Sequence, residues 1–219
     1  MDDRFRDRTQ AGRMLAERLS KRYAGRDDVV VLALPRGGVP VGYEIASELG
    51  APLDVLVVRK LGLPQQPELA MGAIATGGVR VLNDEIARLV DAQTLERVAE
   101  RERQELERRE RAFRGDRPAA AVRGKTVILV DDGLATGSTM RAAIRSLLQR
   151  GIERLVAAVP TAPPQTIEAL EDEVDEVVCL MMPEPFLAIG RWYEDFAQLS
   201  DAEVKSLLDR ATRGTARDA

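Results

Sequence analysis

The chain has 219 residues, 45% of them hydrophobic and 31% charged, and 32 Lys+Arg against 36 Asp+Glu leave a formal net charge of −4. That size and apolar content fit one full-sized α/β domain with a real core and exclude global disorder. The balanced charge argues against a nucleic-acid partner, and no apolar run approaches the roughly 20 residues of a membrane span.

The opening MDDRFRDRTQ is charged throughout and is not expected to act as a secretory leader. The single cysteine, Cys179, fits a reducing cytoplasm and, within EVVCLMM, reads as an inert core thiol. The chain has no histidine, which removes Ser-His-Asp and Cys-His catalysis and every histidine-based metal site. Chemistry must run on carboxylates, cations, backbone amides or a bound metal.

In chain order, TQAGRMLAERLSKRY (9–23) has helical spacing of Met14, Leu15, Leu19 and Tyr23, with Thr9 as the expected N-cap. DVVVLALP (28–35) is an apolar run stopped by proline, the pattern of a strand buried on both faces. VPVGYEIASELG (39–50) predicts a helix closed by Gly50, and LDVLVVRK (53–60) a second buried strand. AMGAIATGGVRVLND (70–84) predicts a hairpin about Gly77-Gly78. TVILVDD (126–132) is a third buried strand, followed by a helix from about 138 to 150. Strands at 154–160 and 176–182 flank a helix around 164–172. Strand alternating with helix at this rhythm predicts an α/β fold with a doubly wound, mainly parallel sheet.

Residues 85–114 break the rhythm. The stretch from Arg97 to Arg111 is mostly charge, with pairs such as Glu105–Arg109 at the favourable i,i+4 spacing. One reading is a solvated helix with a narrow packed stripe; the sharper one is a lid or a dimerisation helix, which would make a homodimer. The division expected is a single domain with a core at about 9–180, an inserted hairpin and helices at about 70–114, and a C-terminal hood at about 181–200.

Three polar clusters fall at the carboxyl ends of strands, where open parallel sheets bind ligands. They are Pro35-Arg36-Gly37-Gly38, Arg59-Lys60, and Asp131-Asp132 running on to Thr139. Singly they could be a tight turn, exposed charges and a helix cap. Together they are complementary. Thr136-Gly137-Ser138-Thr139 opens a helix, whose amides and positive end form an anion cradle. Arg36 with Gly37 and Gly38, and Lys60 with Arg59, suit a second anionic group. Between them, Asp131 and Asp132 can accept hydrogen bonds from vicinal sugar hydroxyls. The implied ligand is a sugar with phosphate at both ends. A Walker loop is absent, because Gly133 to Thr139 contains no lysine.

VILVDDGLATGST (127–139) resembles the 5-phosphoribosyl-1-pyrophosphate motif of type I phosphoribosyltransferases, and LPRGGVPVG resembles that family's pyrophosphate loop. The resemblance covers roughly residues 28–196 and looks closest to stand-alone members with no firmly assigned base. It implies that Asp131 and Asp132 bind the ribose hydroxyls, and that Ala135 to Thr139 hold the 5-phosphate. Arg36, Gly37 and Lys60 would contact the pyrophosphate, and a Mg2+ ion would serve as cofactor. In sequence, the hairpin at 70–84 and the charged helices after it sit where that family has its mobile catalytic loop.

MPEPFLAIGRWYEDF (182–196) resembles the hood of purine enzymes, with Phe186 where an aromatic residue stacks on the base and Trp192 nearby; the other reading is a small aromatic core. Two departures concern the acceptor. Pro185 stands where hypoxanthine-guanine enzymes carry lysine, and Ala135 where they carry aspartate. An acceptor of the hypoxanthine type is thus disfavoured, and adenine, xanthine, a pyrimidine or a non-nucleobase amine remain. The expectation is a cytoplasmic transferase from phosphoribosyl pyrophosphate to a base or amine. The alternatives are a non-catalytic sensor of phosphoribosyl pyrophosphate or a nucleotide, and another phosphosugar enzyme on the same fold.

Overall fold

A computed structural model describes residues 4–215. The main sheet has five parallel strands in the order β2-β1-β6-β7-β8: β1 Val29–Ala33, β2 Leu53–Val55, β6 Thr126–Val130, β7 Arg154–Thr161 and β8 Glu176–Met181. Every residue of β1 and β6 is buried, as their unbroken apolar runs require of central strands with helices on both faces.

Period-two alternation sorts these side chains between two cores. Val30, Leu32, Val127 and Leu129 face α5 (Ser138–Leu148) and α6 (Pro164–Glu171). Val29, Val31, Ile128 and Val130 face α1 (Arg8–Tyr23) and α2 (Gly38–Leu49). The fold is therefore α/β with helices on both sides of a parallel sheet. The N-cap of α1 is Asp7 rather than Thr9: its carboxylate accepts the Gln10 amide at 2.7 Å, two residues upstream of the expected position.

The predicted strand 53–60 splits. The chain leaves the parallel sheet after Val55, and β3 (Val58–Leu63) joins a separate antiparallel sheet, β3-β4-β5, with β4 Gln66–Ala75 and β5 Val79–Leu82. Leu56 and Val57 are buried at the crossing, and their amides are satisfied by Ala33 O at 3.0 Å and Thr76 Oγ1 at 2.9 Å. The predicted hairpin about Gly77-Gly78 is β4-β5, longer at its start than expected.

The charged segment forms α3 (Asp84–Ala87) and the long helix α4 (Ala92–Arg114). Val98, Ala99, Leu106 and Phe113 of α4 pack on the antiparallel sheet, while its outer face carries ion pairs such as Arg109–Glu105 at 2.9 Å. The end of α4 is tied to the main sheet by a buried pair, Arg114 Nε to Asp54 Oδ1 at 2.7 Å.

After β8 the chain makes a 3-10 turn at Ile189–Trp192 and then α7 (Asp201–Thr215), which packs Val204 and Leu208 into the same core as α4. That last helix lies beyond any predicted element. Its start is a reciprocal capping box: the Ser200 amide donates to Glu203 Oε2 at 2.7 Å, and the Glu203 amide to Ser200 Oγ at 3.2 Å. Among the described residues, no helix is long and apolar enough to cross a membrane.

Candidate functional site

The strand order reverses between β1 and β6. From β1 the chain passes to β2 on one side, and after the antiparallel sheet it returns to β6 on the other. Loops after two such strands diverge and leave a crevice at their carboxyl ends. The loops in question here are Pro35 to Gly38 and Asp131 to Gly137. They are in direct contact.

The Leu34 amide donates to Val130 O at 2.8 Å, continuing the β1–β6 ladder into the loops. The Pro35–Arg36 peptide bond is cis. Gly37 and Gly38 are glycines for want of space. A Cβ on Gly37 would lie 2.0 Å from Asp132 Oδ2, and one on Gly38 would lie 2.7 Å from Val130 O. Only hydrogen at these positions lets the glycine loop sit against the acids.

Asp132 is buried and accepts a hydrogen bond from Arg8 Nε at 2.7 Å, while its carbonyl accepts the Tyr193 hydroxyl at 2.6 Å. Asp131 Oδ1 accepts the Asp132 amide at 2.9 Å. Burial, and then the neighbouring Asp132 charge, push the Asp131 carboxyl well above the ordinary carboxylate range. Burial and the same carboxylates also push the Tyr193 phenol far up, which keeps it a donor. An acid pair this crowded is matched to a ligand that brings hydroxyl donors or a cation.

Beyond the acids, Gly137 caps α5 with φ 68°, in the left-handed region, and has no side chain to satisfy the first-turn amides. Only Ser138 N finds a side chain, Thr136 Oγ1 at 3.4 Å, and that hydroxyl pairs with Ser138 Oγ at 2.9 Å. Ala135, Thr136, Ser138 and Thr139 are exposed. The turn therefore offers hydroxyls and amides at the positive end of an eleven-residue helix.

The two cations after the second predicted strand part company, because β3 alternates its faces. Arg59 turns to α4, where its Nη2 and Nε hold Glu102 Oε2 at 2.7 and 3.0 Å. Lys60 is exposed and lines a cavity of about 320 Å³ that also takes in Asn83, Ser138, Arg141 and Arg145. Lys60 thus shares a cavity with the α5 turn, and Arg59 is engaged elsewhere. Arg36 is exposed and reaches the C-terminal segment, with Nη1 to Leu199 O at 3.0 Å and Nε to Asp201 Oδ1 at 2.8 Å.

The aromatic segment divides. Tyr193 and Phe196 stack with centroids 5.0 Å apart, and Tyr193 packs on Phe5, so these residues form a small core. Phe186 and Trp192 are half-buried, stack on each other at 6.3 Å and 28°, and leave a Phe186 face in a groove with Pro163, Gln165, Pro183, Glu184 and Pro185. The 3-10 turn closes over the acid loop, since a Cβ on Gly133 would meet Ile189 Cγ2 at 2.7 Å.

Three contributors were not singled out from sequence: Arg8, Tyr193 as a donor to the acid loop, and Asp201. Each acts across 60 or more residues.

The architecture defines an open α/β protein in which a glycine loop and an acid loop meet at the topological switch point. The family model described as the phosphoribosyl transferase domain matches residues 4–188, and the chain belongs to that family. A Mycobacterium tuberculosis protein named "Putative phosphoribosyl transferase" is 49% identical over 211 residues, which cover 95% of this chain and 47% of that protein. The chain thus spans about half the length of that relative. The crystal structure of TT1426 from Thermus thermophilus is 47% identical, with a TM-score of 0.84 over 94% of this chain and 97% of that one. A uracil phosphoribosyltransferase of Streptomyces griseus is 43% identical over 51 residues, 23% of this chain and 24% of that enzyme.

Proposed function

We propose that the protein transfers the 5-phosphoribosyl group from phosphoribosyl pyrophosphate to the nitrogen of a base or amine, releasing pyrophosphate. The observation that carries this reading is the contact of the glycine loop with an acid pair that runs directly into the uncapped start of α5. Asp131 and Asp132 accept the ribose hydroxyls; Ala135, Thr136, Gly137, Ser138 and Thr139 hold the 5-phosphate; Arg36, Gly37, Gly38 and Lys60 receive the pyrophosphate.

The bond from C1 to the pyrophosphate oxygen breaks as the new C1–N bond forms on the opposite face; its electron pair leaves with the pyrophosphate, and the proton of the acceptor nitrogen is released to water. The transition state is cationic at C1, so the work of the protein is positioning and electrostatic stabilisation, with no side-chain nucleophile. This suits a chain without histidine. Arg59, held by Glu102, contributes by fixing β3 against α4 rather than by touching phosphate.

Among the described residues, no group of three or more His, Cys, Asp or Glu side chains could cage a metal. Two carboxylates beside a diphosphate site do suit Mg2+, which keeps several waters and binds through one or two carboxylates plus substrate phosphates. Asp131 or Asp132 would hold it. When bound, the ion neutralises charge on the leaving pyrophosphate.

For the acceptor, the Phe186 groove, about 500 Å³ with the Gln165–Glu184 hydrogen bond at 3.0 Å on its wall, suits a flat ring with a polar edge. The test is pyrophosphate release with phosphoribosyl pyrophosphate, Mg2+ and a panel of adenine, xanthine, uracil, hypoxanthine and simple amines. Release that depends on one acceptor supports transfer. Tight binding with no release for any acceptor would replace the enzyme by a sensor.

A further inference from the structure

Asp132 is held from outside the parallel sheet. Arg8, the first residue of α1, donates from Nε to Asp132 Oδ2 at 2.7 Å, and the two side chains are only 12% and 11% exposed. The same guanidinium donates from Nη1 to Ala197 O at 3.0 Å and lies 3.9 Å over the Phe196 ring. The hood is in turn stitched to the N-terminal segment, with the Phe5 amide on Trp192 O and the Glu194 amide on Phe5 O, both at 2.8 Å. Arg8 is therefore held at two points, Ala197 O and the Phe196 ring, besides the acid.

An exposed Arg–Asp pair would contribute little. A buried one, in which Nε of a guanidinium already held by Ala197 O and the Phe196 ring donates to a single carboxylate oxygen, does something more specific: it favours one rotation of the carboxylate and leaves the other oxygen unbonded to the arginine. Lysine, a point charge on a flexible stem, would attract the acid without orienting it.

We propose that Arg8 is a positioning residue that acts through Asp132 and sets the preference of the site for an intact ribose over its deoxy forms. This rests on the phosphoribosyl reading above. The phosphate cradle at α5 is untouched by Arg8, so phosphate affinity and hydroxyl preference separate.

The experiment is calorimetric titration of the wild type, Arg8→Lys and Phe196→Leu with ribose 5-phosphate, 2-deoxyribose 5-phosphate and 3-deoxyribose 5-phosphate. Phe196→Leu keeps the arginine and removes its platform. The wild type is expected to prefer ribose 5-phosphate by about tenfold or more over at least one deoxy form, the range of a hydrogen bond to a charged group. In Arg8→Lys that preference falls to about threefold or less, while affinity for the same deoxy form changes by less than about twofold. Phe196→Leu gives an intermediate preference. Retained preference in Arg8→Lys overturns the inference, and so does an equal loss of affinity for all three sugars, which marks a role in folding only. If the wild type binds none of the three and no phosphoribosyl pyrophosphate, the phosphoribosyl reading itself falls, and this inference with it.

Discussion

Gly37→Ala tests the contact on which the site is built. Gly37 has φ −61° and ψ −35°, ordinary helical values, so an alanine there meets no backbone penalty. Its methyl would lie 2.0 Å from Asp132 Oδ2 and 2.4 Å from Cγ. An ordinary contact needs about 3.4 Å, so the carboxylate must withdraw by about 1.4 Å. The 2.7 Å bond from Arg8 does not survive such a shift. Breaking a largely buried ion pair costs about 3–5 kcal/mol when the partners cannot relax. Asp132 can turn about its side chain, so the lower end of that range applies, about 3 kcal/mol. For a domain of this size that lowers Tm by about 6–12 °C. Affinity for phosphoribosyl pyrophosphate should fall at least tenfold, because the carboxylate proposed to hold the sugar is displaced. Scanning calorimetry and isothermal titration read the two effects. A variant that melts within about 2 °C of wild type and binds the ligand unchanged would refute the reasoning, since loop and acid would then not be in contact.

Asp131→Asn should stabilise the ligand-free protein while abolishing ligand binding. The folded carboxyl titrates above its unfolded value, so ionising it at neutral pH costs stability that the neutral amide avoids. The gain is expected to be largest near pH 7 and to shrink as pH falls toward the ordinary carboxylate range; a loss of Tm at pH 7 would show that Asp131 is not under that strain. Asp201→Asn should tighten phosphoribosyl pyrophosphate by no more than about fivefold, because it frees Arg36 from a half-exposed pair of the kind that contributes about 0.2–1 kcal/mol. Weaker binding in that variant would place Asp201, not Arg36, in contact with the ligand. Cys179, whose thiol burial pushes up, should resist iodoacetamide at pH 8 in the native state and react in urea. Cys179 is half-buried, so native labelling as fast as in urea would contradict the raised thiol rather than its place in β8.

The centre of the parallel sheet was readable because β1 and β6 are unbroken apolar runs, one followed by Pro35 and the other by the acid pair Asp131-Asp132. The break at Val55 was not. LDVLVVRK has no glycine or proline where the chain changes sheets, and the switch is set by Ala33 and Thr76, which take up the amides of Leu56 and Val57. The last helix did carry a signal, Ser200-x-x-Glu203 ahead of Val204, Leu207 and Leu208, which a search for capping boxes finds. In the site, motif residues contiguous in sequence, such as Asp131 to Thr139, were legible as a unit. Arg8 was not, because a charged residue at the start of an amphipathic helix reads as solvated until the fold brings it to an acid 124 positions away. Arg59 and Lys60 show the converse. Their adjacency suggested one anion site, whereas strand alternation sends one to α4 and the other to the α5 cavity.

The most direct test of the phosphoribosyl site is a calorimetric titration of phosphoribosyl pyrophosphate with Mg2+ into the wild type and into the double variant Asp131→Asn, Asp132→Asn. Saturable binding to the wild type, competed by ribose 5-phosphate, is expected, with no measurable binding to a double variant that still melts cooperatively. No heat with the wild type, or undiminished binding by the folded double variant, would contradict it.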